Sequence, residues 1–253
     1  MKSPLKSKPL RNPGDSVQKE LDDLLIDKVL YHFVVAGFLI ILALVEWSRW
    51  YFQKPPNPLF YTVISIGYVA FAGLKFRKTI KRAKNLKLGR DGERAVGQYL
   101  EGLRESGAKV FHDIPGENFN LDHVVIHSSG VYVIETKTHS KPDTGNPTIV
   151  FDGETVTYWG KQPDRNPVTQ VRAAASWLSQ LLQESSGKKV AVRPVVVYPG
   201  WYIEPTAEAK RSDVWVLNPK ALPSFIGNSR VTLSPEDMQL FSFHLSRYVR
   251  TSS

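Results

Sequence analysis

Asp122, Glu135 and Lys137 are the residues of this 253-residue chain whose types and spacing suit joint chemistry. They sit in Asn120-Leu121-Asp122-His123-Val124-Val125-Ile126 and Val131-Tyr132-Val133-Ile134-Glu135-Thr136-Lys137, two apolar runs of strand length. A short Ser-Ser-Gly turn separates them, which predicts a β-hairpin. Alternate side chains of a strand share a face, so Glu135 and Lys137 fall together. A two-residue turn at Ser128-Ser129 pairs His127 with Gly130 and sets Asp122 opposite Glu135. A three-residue loop with Gly130 left-handed shifts the pairing by about one residue and leaves the carboxylates near neighbours. Two acids that close repel unless a cation lies between them, and oxygen ligands suit a hard cation, Mg²⁺ or Mn²⁺. An isolated Glu-X-Lys is usually a solvated edge pair. Here Val124, Ile126, Val131, Val133 and Ile134 imply a core hairpin, where unpaired charge is costly.

The blocks around the hairpin resemble the nuclease-related domain (NERD) branch of the PD-(D/E)XK nuclease superfamily. Asp122 followed by Glu135-Thr136-Lys137 is similar to its Asp…Glu-X-Lys signature. Gly89-Arg90-Asp91-Gly92-Glu93 is similar to its Gly-X-X-Gly-Glu helix, and residues 130–137 to its Gly-Val-Tyr-Val-Ile-Glu-Thr-Lys strand. Asn166-Pro167 with Gln170 resembles the start of a later helix, and the likeness spans roughly residues 88–200. After the lysine the family more often has Asn where this chain has Thr138, a departure that leaves the metal ligands untouched.

The resemblance implies an α/β domain, a restriction-endonuclease-like mixed sheet flanked by helices. It also implies metal-dependent hydrolysis of phosphodiester bonds, with DNA the expected substrate. Asp122, Glu135 and the Thr136 backbone carbonyl would hold one or two Mg²⁺ or Mn²⁺ ions. Lys137 would neutralise developing charge or orient the attacking water. Glu93 would face the site and reach metal through water, and Gln170 would position the phosphate or Lys137. Plainer readings exist for both: an acid in a helix's first turn is favoured by the dipole, and Gln170 is an ordinary polar residue at a helix start. The alternative for the whole is a catalytically inactive, membrane-tethered module that binds nucleic acid or protein on a nuclease scaffold.

The elements that must position these groups follow from periodicity. Residues 89–106 have helical spacing through Ala95, Val96, Tyr99, Leu100 and Leu103, ended by Gly107. A strand is predicted over 108–114, then the two motif strands, then a small hairpin from Thr148–Phe151 and residues 155–159. A helix over 167–184 carries Val171, Ala174, Ala175, Leu178 and Leu182 on one face. Residues 190–198 read as a strand buried on both faces, residues 214–217 as another, and Ser234-Pro235 caps a last helix through about Val249. Trp159, Trp177 and Trp201 suit stacking on bases, although packing is the plainer role for each.

Two uncharged runs precede this domain, residues 29–45 and 58–74. Each is near the lower limit of about 17 residues for a membrane-spanning helix. Trp47, Trp50, Tyr51 and Phe52 follow the first and Phe60 and Tyr61 open the second, as in an interfacial belt. Pro55, Pro56 and Pro58 break the chain between them, and the second run disfavours a cleaved signal peptide. Lys75, Arg77, Lys78, Lys81, Arg82, Lys84, Lys87 and Arg90 follow with no acid among residues 75–90, against only Arg49 and Lys54 between the runs. Positive residues stay inside, so both termini and the C-terminal domain are expected in the cytoplasm, beneath the cell's inner membrane. The run over 75–90 also suits acidic lipid headgroups or nucleic acid, as does a net charge of +9. The layout expected is a disordered basic tail over 1–28, a two-helix transmembrane hairpin over 29–75, a linker over 76–87 and the nuclease-like domain over 88–253. The absence of cysteine excludes disulfides and thiolate zinc sites. His123 and His127 read as ordinary strand residues, since a four-residue spacing makes a zinc pair on a helix and not on a strand.

Overall fold

The computed structural model describes residues 10–55, 58–140 and 147–252. The chain divides into two compact units, Ser16–Lys87 on the one hand and Met1–Asp15 with Leu88–Ser253 on the other.

The first unit is helical. Helix α1 (Asp15–Leu24) leads through a π-type turn, Leu25–Leu30, into α2 (Tyr31–Tyr51), and α3 (Pro58–Glu101) follows. The apolar parts of α2 and α3 lie antiparallel, with His32 Nδ1 2.9 Å from the Tyr68 hydroxyl and Ser65 Oγ donating to the Leu39 carbonyl at 3.0 Å. The stretches Asp15–Tyr51 and Pro58–Ser106 are each long and apolar enough to cross a membrane, with mean hydropathies of 2.3 and 1.6 in their most apolar windows. Only 6 % of either of these windows is buried within the chain itself.

One expectation changes here. Residues 15–24 are helical where an unstructured tail was expected, because Leu21 and Leu24 give the segment a buried stripe that its polar composition hides. Residues 76–87, expected as a basic linker, are helical as part of α3, and the two units divide between Lys87 and Leu88. The expected disorder of residues 1–9 and the loop tip at residues 56–57 lie outside the described residues.

The second unit is the expected α/β domain. In chain order it contains the end of α3, β1 (Lys109–Pro115), β2 (Asn120–His127), β3 (Gly130–Thr136), β4 (Thr148–Phe151), β5 (Val156–Tyr158), α4 (Pro167–Ser186), β6 (Val192–Val197), β7 (Tyr202–Pro205), β8 (Trp215–Leu217), α5 (Leu222–Gly227) and α6 (Pro235–Thr251). The main sheet is mixed, in the order β1-β2-β3-β6-β8, antiparallel from β1 to β3 and parallel from β3 to β8. Its two faces make two cores. Val124, Ile126, Val131 and Val133 pack with Val171, Ala174, Ala175 and Leu178 of α4, and with Phe241 and Leu245 of α6. Val125, Tyr132 and Ile134 face Val96 and Leu100 of α3 and Leu222 and Ile226 of α5. The predicted small hairpin β4-β5 gains β7 as a third strand, parallel to β4. Neither β7 nor α5 was expected, since each is short and contains a proline.

Candidate active site

The motif hairpin closes with a two-residue turn. His127 pairs with Gly130 and the ladder runs to His123–Ile134, so the next step sets Asp122 opposite Glu135, the first of the two expected registers. There the ladder opens: the Thr136 backbone N–H is donated to Asp122 Oδ2 at 2.7 Å. The N–H and C=O of one strand residue point to the same side, so the Thr136 carbonyl also faces β2. Lys137 continues toward β6, its N–H donated to the Val197 carbonyl at 2.9 Å. Its Nζ reaches Glu135 Oε1 at 2.7 Å, which places both on one face as alternation requires.

Helix α3 brings Glu93 to this end of the sheet. Gly92 makes the approach possible, because a Cβ there would run into Thr138 Cγ2 and lie 3.7 Å from Thr136 Cγ2. Gly89, the other glycine of the motif, has open space around it. Glu93 is 8 % exposed. Burial, then the charges of Asp113 and Glu135, push its pKa up to about 7, against a hydrogen bond from the Gly14 backbone N–H and the charge of Lys137. Asp122 is raised well above the usual carboxylate range by burial, then by Glu135 and Glu93; the Thr136 N–H and Lys137 pull it back. Glu93, Asp122 and Glu135 are therefore one electrostatic cluster around Lys137, drawn from α3, β2 and β3.

The cluster has members that the motif reading missed. Asp113 is 1 % exposed and adopts a φ of 50°, leaving the β1-β2 ladder between His112–His123 and Ile114–Leu121. Arg11 Nη1 and Asn120 Nδ2 each approach it at 3.2 Å. The segment expected to be disordered thus supplies Arg11 to Asp113 and Gly14 to Glu93. No sequence pattern marks Asp113, since its role depends on a positive φ inside a strand.

Gln170 lies in the first turn of α4, which Asn166 caps by accepting the Val168 N–H at 3.0 Å. With Phe119, Asn120, Glu135 and Lys137 it lines a cavity of about 330 Å³, and its Oε1 is buried with no partner among the described residues. A larger cavity of about 970 Å³, beside Trp201 and Tyr202, contains none of the site residues. Trp201 is core and Trp177 packs against the core, while Trp159 is exposed. His123 is fully buried, with its Nδ1 2.8 Å from His112 Nδ1, and His127 Nδ1 meets Ser129 Oγ at 2.7 Å. Burial lowers the pKa of both, and both serve packing.

Among the described residues no three His, Cys, Asp or Glu side chains converge as a ready-made ligand set. The donor chemistry nevertheless fits a hard cation. Asp122 and Glu135 lie opposite each other one step beyond the last paired residues, with oxygen donors only, and the Thr136 carbonyl points toward β2.

Residues 88–199 match the family model described as nuclease-related domain, NERD. No curated protein and no solved structure gives a significant match to the chain.

Proposed function

We propose, on the premise that residues 88–199 are a nuclease-related domain of the NERD family, that this chain is a membrane-anchored, metal-dependent phosphodiesterase acting on nucleic acid. The observation that carries the reading is the convergence of Glu93, Asp122 and Glu135 on Lys137, with more buried acid than one lysine neutralises. A bound Mg²⁺ or Mn²⁺, held by Asp122, Glu135 and the Thr136 carbonyl, would supply Lewis acidity toward the phosphodiester and a lower pKa for an attacking water.

The chain's own groups divide the remaining work. Lys137 neutralises charge developing on the phosphate oxygens from the same strand face as Glu135. Thr136 fixes Asp122 through its backbone N–H, so the carboxylate is oriented before substrate arrives. Glu93, buried beside Asp122 and Glu135, would reach the metal through water and is suited to exchange a proton with a neighbouring oxygen. Gln170 lines the cavity beside Glu135 and Lys137 and is suited to position a phosphate or the lysine.

Anchoring in a bilayer is supported by the two apolar helices and by the large exposed side chains along them, among them Phe33, Phe38, Ile41, Leu59, Val63 and Ile66. The excess of lysine and arginine over residues 75–90 supports a cytoplasmic domain and contact with acidic headgroups.

One observation favours a second reading, a nucleic-acid-binding module without turnover: the described residues hold no preassembled set of three ligands. Cleavage decides between the two. The purified full-length protein in detergent, given plasmid and single-stranded DNA with and without Mg²⁺ or Mn²⁺ beside Asp122→Asn, should cut only as wild type with metal. Metal-independent or Asp122-independent cutting would discard the proposed site, and salt-sensitive binding without cutting would favour the module.

A further inference from the structure

The cavity beside the acidic cluster has an aromatic wall that the chemistry above does not use. Phe119 stands at the β1-β2 connection, 40 % exposed, and lines the same space as Glu135 and Lys137. Its position is fixed. The Gly116 N–H is donated to the Phe119 carbonyl at 2.7 Å, and a Cβ on Gly116 would meet the ring's Cζ at 2.8 Å. Trp177 meets the ring edge-on at 5.3 Å and is itself braced by Tyr248, whose hydroxyl donates to the Pro115 carbonyl at 2.9 Å. A ring held this firmly while still open to solvent is a preformed stacking surface.

The rest of the cavity suits the edge of a base. Ala173 and Ala174 keep the α4 wall low, and the amides of Asn120 and Gln170 supply donors and acceptors. Its volume of about 330 Å³ is at the small end of ligand sites, enough for one nucleoside unit. A paired base inside a duplex cannot enter such a space. A base must first leave its stack.

We propose that this cavity is a subsite for one unpaired nucleobase, stacked on Phe119 beside the phosphodiester at Glu135 and Lys137, so that the substrate is a single strand or a frayed end rather than a continuous duplex. This rests on the phosphodiesterase reading and names its substrate class. Stacking on an aromatic side chain is tolerant of base identity, so little sequence preference is expected from it.

The test uses full-length protein in detergent with Ca²⁺ and a single-stranded oligonucleotide carrying one 2-aminopurine. Emission reports stacking and anisotropy reports affinity. A duplex closed by hairpins at both ends is the control. Wild type should quench the probe. Phe119→Leu should lose the quench and bind the single strand about 5- to 150-fold more weakly, with affinity for the closed duplex unchanged. Phe119→Tyr should keep both properties. Ala173→Leu, which fills the cavity from an exposed helix position, should weaken single-strand binding without touching the ring. Single-strand affinity equal to wild type in both Phe119→Leu and Ala173→Leu would overturn the subsite, as would an unquenched probe on wild type. Cleavage is scored separately with Mg²⁺ or Mn²⁺. Quenching without cleavage refutes the phosphodiesterase reading and keeps the subsite, whereas cleavage without quenching refutes the subsite alone.

Discussion

At the scale of single residues, the acids around Lys137 are held in an arrangement that folding by itself does not favour. Burial and mutual repulsion raise Asp122 and Glu93 together. Asp122→Asn, Glu135→Gln and Lys137→Ala are each expected to lower metal-dependent cleavage by at least about 10²-fold, with circular dichroism unchanged. Without metal, Asp122→Asn should melt higher than wild type, because it removes a carboxylate whose charged form burial and its acidic neighbours disfavour; Glu135→Gln should not share the gain, because it also takes away the ion-pair partner of Lys137. Full turnover in any of the three would remove that residue from its role. Glu93 adds a pH signature. Its ordinary value is 4.5 and its folded value about 7, so between these the unfolded chain has lost a proton that the folded chain keeps. The stability this contributes is complete below about pH 4.5 and is lost as pH rises through about 7. The melting temperature of metal-free protein should therefore fall across that window, and Glu93→Gln should flatten the fall. An equal slope in the variant would assign it to other groups.

At the scale of elements, two close approaches assemble the site. The first is α3 against the end of β3. Gly92→Ala places a methyl against Thr138, an overpacking that costs about 1–3 kcal/mol and outweighs the gain of about 1 kcal/mol in helix propensity. Gly89→Ala meets nothing and should keep that gain. Denaturant midpoints that move in opposite directions for the two glycines would support the packing; movement in the same direction would count against it. The second approach is the segment 11–14. Arg11→Ala removes a charged partner at 3.2 Å from Asp113, which is 1 % exposed. The loss of that charged partner should cost about 1–3 kcal/mol, read from urea unfolding. Cleavage should fall with it, since Asp113 lies among the charges that set Glu93. Activity and stability equal to wild type would mean that the segment merely rests on the domain.

At the scale of the whole molecule, the expected behaviour is that of an integral membrane protein. High salt or carbonate should leave it in the membrane pellet, because two apolar helices outlast any attraction between surface charges. A reporter after Ser253 should read as cytoplasmic and one inserted near Asn57 as external. Release by salt alone would exclude spanning. The basic run has a second test. Neutralising Lys78, Lys81, Arg82 and Lys84 should flatten the salt dependence of duplex binding, if that run gathers nucleic acid. The log–log slope should fall by about 0.9 for each phosphate that the variant no longer neutralises. If the run serves topology, the slope stays and insertion becomes mixed. Arg82 also pairs with Glu20 of α1, so part of any change in this variant belongs to the helical unit itself.

The sequence by itself determined the features that short-range rules govern. Turn length and two-residue alternation set Asp122 opposite Glu135 and put Lys137 on the same face, because a β-hairpin's register is a local property. Asn166 and Ser234 cap their helices as their spacing to the next N–H groups dictates. The apolar runs and the glycines of the α3 motif were equally plain. Tertiary structure decided what depends on distant partners. Arg11 meets Asp113 across 102 residues of chain, Phe119 is braced by α4 and α6, and β7 exists because β4 offers it an edge. The pKa of Glu93 belongs to the same class, since burial and the charges of Asp113, Glu135 and Lys137 set it. A sequence window carries the propensities of a few successive residues, whereas desolvation and Coulomb energy depend on which surfaces meet once the chain has closed on itself.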